Sequence, residues 1–95
     1  MSAYLIVDIE VTDQGPYDDY RAQVPELVAK HGGKYLVRGG SFEILEGDWA
    51  PHRLVLLEFP TIEAAKGFYD SEDYRPLRDI RLHATNSNMV MVEGT

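Results

Sequence analysis

The sequence predicts an α+β fold in which a four-stranded antiparallel sheet carries its helices on one face. Three patterns predict it: a strictly alternating apolar run at the N-terminus, two helical stretches bounded by proline and glycine, and a pair of short β-rich segments between them. The 95-residue length accommodates one domain over residues 1–95.

From Ala3 to Val11 the odd positions Ala3, Leu5, Val7, Ile9 and Val11 are all apolar, and Tyr4, Ile6, Asp8 and Glu10 lie between them. A period of two is a strand with one fully buried face. Asp13-Gln14-Gly15-Pro16 breaks it, after which Tyr20, Val24, Leu27, Val28 and His31 recur at the spacing of an amphipathic helix. Pro25 removes a backbone donor and crowds the preceding turn, so the spacing predicts a kink there or a helix in two parts. Gly32-Gly33 supplies the left-handed stop.

Lys34–Arg38 reads as a second strand that is interrupted at Gly39-Gly40 and resumes from Ser41 to Glu46. Paired glycines inside a strand pattern predict a bulge. Gly47 to Pro51 is a loop, and Arg53–Phe59 is a third strand that pairs with the second as a hairpin. Pro60 stops the ladder. Thr61 caps a helix containing Ala65, Phe68 and Tyr69, with Glu63 in its first turn to complement the dipole. After the break at Tyr74-Arg75-Pro76, Leu77, Ile80 and Ala84 form a short helix with Pro76 suited to its first position. Asn86 to Asn88 turn the chain into a last strand, Met89–Glu93.

This order is the split βαβ plan of a ferredoxin-like sandwich, with strand order 4-1-3-2. Right-handed crossovers place the helices on the same side. Aligning the hairpin across its loop puts Phe42, Ile44, Val55 and Leu57 under the helices. Tyr4, Ile6, Asp8, Leu54, Leu56 and Glu58 then line an open face. So apolar a patch predicts packing on a second sheet, hence a homodimer of the dimeric α/β barrel type. A chain this short buries only roughly 60–65% of its unfolded surface, which adds weight to association.

Composition removes several functions. The absence of cysteine excludes disulfide scaffolds, zinc knuckles and thiol nucleophiles. With 16 acidic and 9 basic residues the net charge is −7, which repels phosphate backbones and argues against a nucleic-acid partner. The run Met1–Val11 lacks a preceding basic residue and carries Asp8 and Glu10, so neither a signal peptide nor a membrane span is expected and the location is read as cytoplasmic. His31, His52 and His83 have no metal-ligand spacing, and no metal is expected. Ser41 lacks the nucleophile-elbow frame, and the glycine pairs lack the phosphate-loop pattern. No cofactor is implied.

The leading constellation is Asp8, Glu58 and Arg38. Taking the first and third strands as parallel neighbours sets Asp8 beside Glu58, and close carboxylates raise each other's proton affinity as acid–base work requires. A bulge at Gly39-Gly40 turns Arg38 to the same face, where its planar fork meets a carboxylate or an anionic ligand. Without the bulge, Arg38 points under the helices. Tyr4 shares that open face and is a further ligand-binding candidate. The competing reading is an interfacial ion-pair network. Tyr35, Tyr69, Tyr74, Phe68 and Trp49 form either an aromatic pocket or ordinary packing, Trp49 from a loop able to cover a partner subunit. Arg75, Arg78 and Arg81 read as a solvated helix stripe, from which Arg78 is the residue most suited to reach a pocket. His83 is the neighbouring imidazole and a candidate acid or base.

The stretches Gly32-Gly33-Lys34-Tyr35-Leu36-Val37-Arg38-Gly39-Gly40, Glu43-Ile44-Leu45-Glu46-Gly47-Asp48-Trp49 with Pro51 and Arg53, Glu58-Phe59-Pro60, and Phe68-Tyr69-Asp70-Ser71-Glu72-Asp73-Tyr74 resemble the domain of unknown function 1330 family. The resemblance covers essentially the whole chain. It implies a ferredoxin-like protomer in a dimeric α/β barrel, with no established activity to carry over. The wider superfamily includes cofactor-independent monooxygenases and muconolactone isomerase, but a shared fold supplies no reaction. The expectation is a homodimer that binds a small organic metabolite, with an anionic one among the candidates. The alternatives are a cofactor-independent isomerase or monooxygenase-like enzyme, and a noncatalytic structural dimer.

Overall fold

The computed structural model describes residues 1–95. Its elements are β1 (Ala3–Val11), α1 (Gln14–Lys30), β2 (Lys34–Arg38), β3 (Leu54–Phe59), α2 (Ile62–Tyr69), α3 (Arg75–Ala84) and β4 (Thr85–Glu93). The sheet order is β2-β3-β1-β4, the predicted 4-1-3-2 taken from the other edge. Ala3, Leu5, Val7 and Ile9 of β1 are buried with Val55, Leu57 and Phe59 of β3, so the odd positions face the helices. Cα extents of 35 × 32 × 17 Å fit one helix layer on one sheet.

The aromatic centre of the core joins sheet to helices. The Phe68 ring of α2 packs 5.3 Å from Phe59 and 4.4 Å from Tyr74, and all three are fully buried. Thr61 caps α2 as expected, its hydroxyl accepting from Ala64 N at 3.0 Å. Gly32, at φ 81°, lets α1 close with Gly32 N donating to Ala29 O and Gly33 N to Val28 O.

Several expectations are corrected. α1 runs unbroken through Pro25 rather than in two parts. The carbonyl that proline cannot serve, four residues back on Arg21, accepts instead from Arg38 Nη2 at 2.9 Å, so the missing donor is replaced from outside the helix. No turn separates α3 from β4. Asn86, Ser87 and Asn88 already pair with Glu10, Ile9 and Asp8, because the long β1 offers ladder partners as far as Val11.

The bulge lies at Leu36, not at the glycines. Tyr35 pairs with Leu57 and Val37 with Leu56, which leaves Leu36 unopposed and sets Arg38 across from Val55. The strand expected from Ser41 to Glu46 does not form. Gly39 N donates to Leu54 O at 2.8 Å as the last rung, and the Arg53 guanidinium fills the space beyond it. Residues 39–53 are therefore a loop. Phe42 and Ile44 are exposed on it at 45% and 51%, rather than buried under the helices.

Candidate functional site

The antiparallel pairing of β1 with β3 takes apart the predicted carboxylate pair. Asp8 lies opposite Leu54, while Glu58 lies opposite Tyr4. The carboxylates share a face but stand four residues apart along the strands, roughly 13 Å at the usual strand rise. Each has its own structural partners. Glu58 accepts from Lys34 Nζ and from the Tyr4 hydroxyl, both at 3.2 Å, and the Lys34 hydrogen bond is the main influence holding its carboxyl below the ordinary range.

Asp8 is a clamp on the 39–53 loop. It accepts from His52 N at 2.8 Å and from Trp49 Nε1 at 3.0 Å. The His52 ring bridges towards Asp8 and Glu10, with Nδ1 at 3.9 Å and Nε2 at 3.5 Å. Burial opposes the Asp8 charge, but the donated hydrogen bonds and the His52 charge outweigh it and hold the carboxyl below its ordinary value. Asp8 and Glu58 thus brace the open face through separate partners, and the structure does not bring them together as a pair.

Arg38 lies on the helix side. The Leu36 bulge gives it the same face as Tyr35, and its guanidinium sits 4.7 Å over that ring. It stands at the mouth of a cleft between α1 and the sheet, with Arg21 and Arg53 as the other charged residues of the lining. Tyr17, Tyr20, Tyr35 and Tyr74 make the aromatic walls, and Val7, Ile9, Val55, Leu57 and Met89 make the apolar floor. The space enclosed is about 30 Å³, a slot with room for about a water rather than a chamber. No carboxylate lines it. In a chain with 16 acidic residues against 9 basic ones, this local reversal of charge is the most distinctive electrostatic feature.

Gly39 makes the arginine cluster possible. It holds φ 71°, and a Cβ there would lie 2.2 Å from Arg53 Nη1. Arg53 Nε is buried and has no hydrogen-bond partner.

Tyr69 and Arg78 come together elsewhere. Arg78 sits 5.0 Å over the Tyr69 ring and donates to Tyr69 O at 3.2 Å. Tyr69 borders a second cavity of about 190 Å³ beside β4, with Leu5, Lys66, Met89 and Met91. His83 Nδ1 lies 2.7 Å from Asp79 O on the exposed side of α3, outside the cleft. The arginine stripe is not a single face. Arg75 pairs with Glu72 at 3.1 Å in solvent, whereas Arg81 is 2% exposed. Sequence reading missed Arg21, Arg53, Tyr17 and Tyr20; the only signal for Arg53 was its place at the start of a strand whose next residue turns away. No group of three or more His, Asp or Glu side chains converges to hold a metal, and no helix is long and apolar enough to cross a membrane.

These features define a ferredoxin-like α+β protein with a basic, tyrosine-walled cleft beneath its first helix. The chain belongs to the family described as Domain of unknown function (DUF1330), whose model matches residues 2–95. Among solved structures it is similar to RPA0582, a protein of unknown function from Rhodopseudomonas palustris. That likeness has 16% identity and a TM-score of 0.78, and covers 99% of this chain and 82% of the other. It is also similar to a dimeric ferredoxin-like protein of unknown function from Jannaschia sp. CCS1, at 14% identity and TM-score 0.72 over 99% and 100% of the two chains. SnoaB, a cofactor-independent oxygenase from Streptomyces nogalater, aligns at 8% identity with TM-score 0.66 over 99% and 93%. At these identities the likeness concerns the fold. No curated protein matches the sequence.

Proposed function

We propose that this protein is a homodimer that binds a small organic anion, with the acid group held by Arg38 and Arg53 at the mouth of the α1 cleft. The observation that carries the reading is the lining itself: Arg21, Arg38 and Arg53 border the cleft of an acidic chain, with Asp18 as the single carboxylate of the outer groove that Arg21 and Arg38 share. A guanidinium fork matches a carboxylate through two parallel hydrogen bonds, and Arg53 Nε still lacks a partner. The exposed Arg38 and the Tyr35 ring it covers give the mouth a charge beside an aromatic surface, which favours an organic anion lying across the mouth over a hydrated inorganic ion.

Assembly rests on the opposite face. Ile6, Leu54 and Leu56 lie there with Val37, Val90 and Val92, the three valines 36%, 58% and 46% exposed. A contiguous apolar sheet face packs on a second sheet, and the ferredoxin-like relative from Jannaschia is dimeric.

Native mass spectrometry of gently purified protein tests both parts. The expected spectrum is a dimer that takes up hexanoate on titration, with calorimetric binding lost in Arg38→Ala. A monomer refutes the assembly. Hexanoate binding that is unchanged in Arg38→Ala refutes the site.

A further inference from the structure

The helix layer stops short of one edge of the sheet. β4 is the outermost strand on that side, and α2, eight residues long, ends at Tyr69. Met91 pairs with Leu5 and Met89 with Val7, so both methionines lie on the helix side, where they are only partly buried. Between α2 and this edge lies the second cavity, whose volume of about 190 Å³ far exceeds that of the slot under α1.

Volume and lining together choose an occupant. A dry apolar cavity of about 150 Å³ holds a benzene ring, so this space admits a single ring with one small substituent. Leu5, 2% exposed, makes the floor, and Met89, Met91 and Tyr69 make the walls. An ordered water needs several polar partners, which the leucine and the methionines do not offer. Thioether sulfur makes favourable contacts with aromatic rings, and the flexible methionine stems adapt to a flat body, so a ring is favoured over an alkyl chain. The Tyr69 wall is held in place, since Arg78 lies 5.0 Å over its ring and donates to its carbonyl at 3.2 Å.

The lip of the cavity is polar and carries both signs. Lys66 and Asp70, the C-cap of α2, stand one helical turn apart and border the same opening, and neither forms a salt bridge. A ring bearing a carboxylate satisfies Lys66 and is repelled by Asp70; a ring bearing an ammonium meets the reverse conflict. A plain hydrocarbon serves neither residue. A phenolic hydroxyl serves both, accepting from the ammonium while donating to the carboxylate.

We propose that this edge cavity is a second ligand site that takes a small neutral phenol, its ring against Leu5, Met89 and Met91 and its hydroxyl between Lys66 and Asp70. The arginines of the α1 mouth take no part in it, so this site and the anion site stand or fall separately.

The chain has three methionines, so carbon-13 labelling of their methyl groups gives three NMR signals, assigned by single Met→Leu replacements. Phenol is expected to shift the Met89 and Met91 signals through its ring current and to leave Met1, which is 73% exposed, in place. Benzoate binds the wild type more weakly than phenol. Asp70→Ala weakens phenol by about tenfold, the effect of one hydrogen bond to a charged group, while toluene changes by less than about twofold. The same replacement tightens benzoate, because the repulsion is gone. Lys66→Ala weakens phenol and again spares toluene. Both replaced side chains are exposed, so the fold is retained. Unmoved Met89 and Met91 signals, or a Met1 signal that moves in step with them, overturn the site. Benzoate binding the wild type as tightly as phenol, or phenol and toluene weakening together in Asp70→Ala, overturns the phenol class.

Discussion

Pro25 and Arg38 meet at one oxygen. The helix carbonyl of Arg21, which proline cannot serve, receives the Arg38 guanidinium at 2.9 Å. A sequence feature that weakens α1 thereby fixes the side chain proposed to hold the anion, which stacks on Tyr35 at the same time. The carbonyl and the ring hold the arginine near the cleft without neutralising its charge.

Pro25→Ala restores the helical donor and competes for that carbonyl. The expected result is a protein more stable by about 1–3 kcal/mol, since interior proline is poorly suited to a helix. Hexanoate binding falls several-fold as Arg38 loses its anchor. Urea unfolding and calorimetry on the same sample read both effects. Stabilisation without any loss of affinity refutes the role given to this bond.

Gly39→Ala and Gly40→Ala form a matched pair. At Gly39 the new methyl meets the Arg53 guanidinium, and φ is 71°. Gly40 has nothing within 4 Å. Gly39→Ala is expected to destabilise by about 1–2 kcal/mol and to weaken anion binding, since Arg53 must move. Gly40→Ala leaves both within error. Similar midpoints in urea for the two variants contradict the packing described here.

Asp8→Ala releases the loop. Trp49 is the single tryptophan, so its emission reports the clamp without interference. A shift in emission and a loss of about 1–2 kcal/mol are expected, the range for two donated hydrogen bonds to a partly exposed carboxylate. The pH dependence has a definite sign. The folded Asp8 lies below its ordinary value of 3.8, so its contribution is complete above that value and disappears as pH falls through the lower folded one. The stability gap between wild type and Asp8→Ala is therefore constant near neutrality and closes in acid. A gap that widens in acid contradicts the clamp.

Leu56→Glu places a charge in the middle of the open apolar face, opposite Ile6 and beside Val37. The proposed dimer is expected to dissociate by at least tenfold, with the circular-dichroism spectrum of the fold retained. Sedimentation velocity at several concentrations separates the two states. Undiminished association shifts the interface to another surface.

Much of the fold was legible because burial imposes simple periods. The odd positions of β1, the Thr61 cap and the strand order all follow from such rules. The site was less legible for three physical reasons. Direction within a strand pair leaves no trace in alternation, so Asp8 and Glu58 looked adjacent when the antiparallel register separates them. The bulge at Leu36 carries no glycine, and the glycines that advertised one instead close the ladder and admit Arg53. Finally, residues six apart on a helix are turned by about 120° from each other at 100° per residue. Arg75 and Arg81 therefore belong to different environments, although their spacing from Arg78 is the same.

Along β3, Val55 and Leu57 form part of the cleft floor, while Leu54 and Leu56 face the other way. One strand thus supplies two surfaces that share a backbone and almost no side-chain atoms. Replacing an odd residue reshapes the cleft floor and leaves the opposite surface chemically intact; replacing an even one does the reverse. Selection can thus retune the proposed binding cleft without touching the proposed dimer face, one codon at a time.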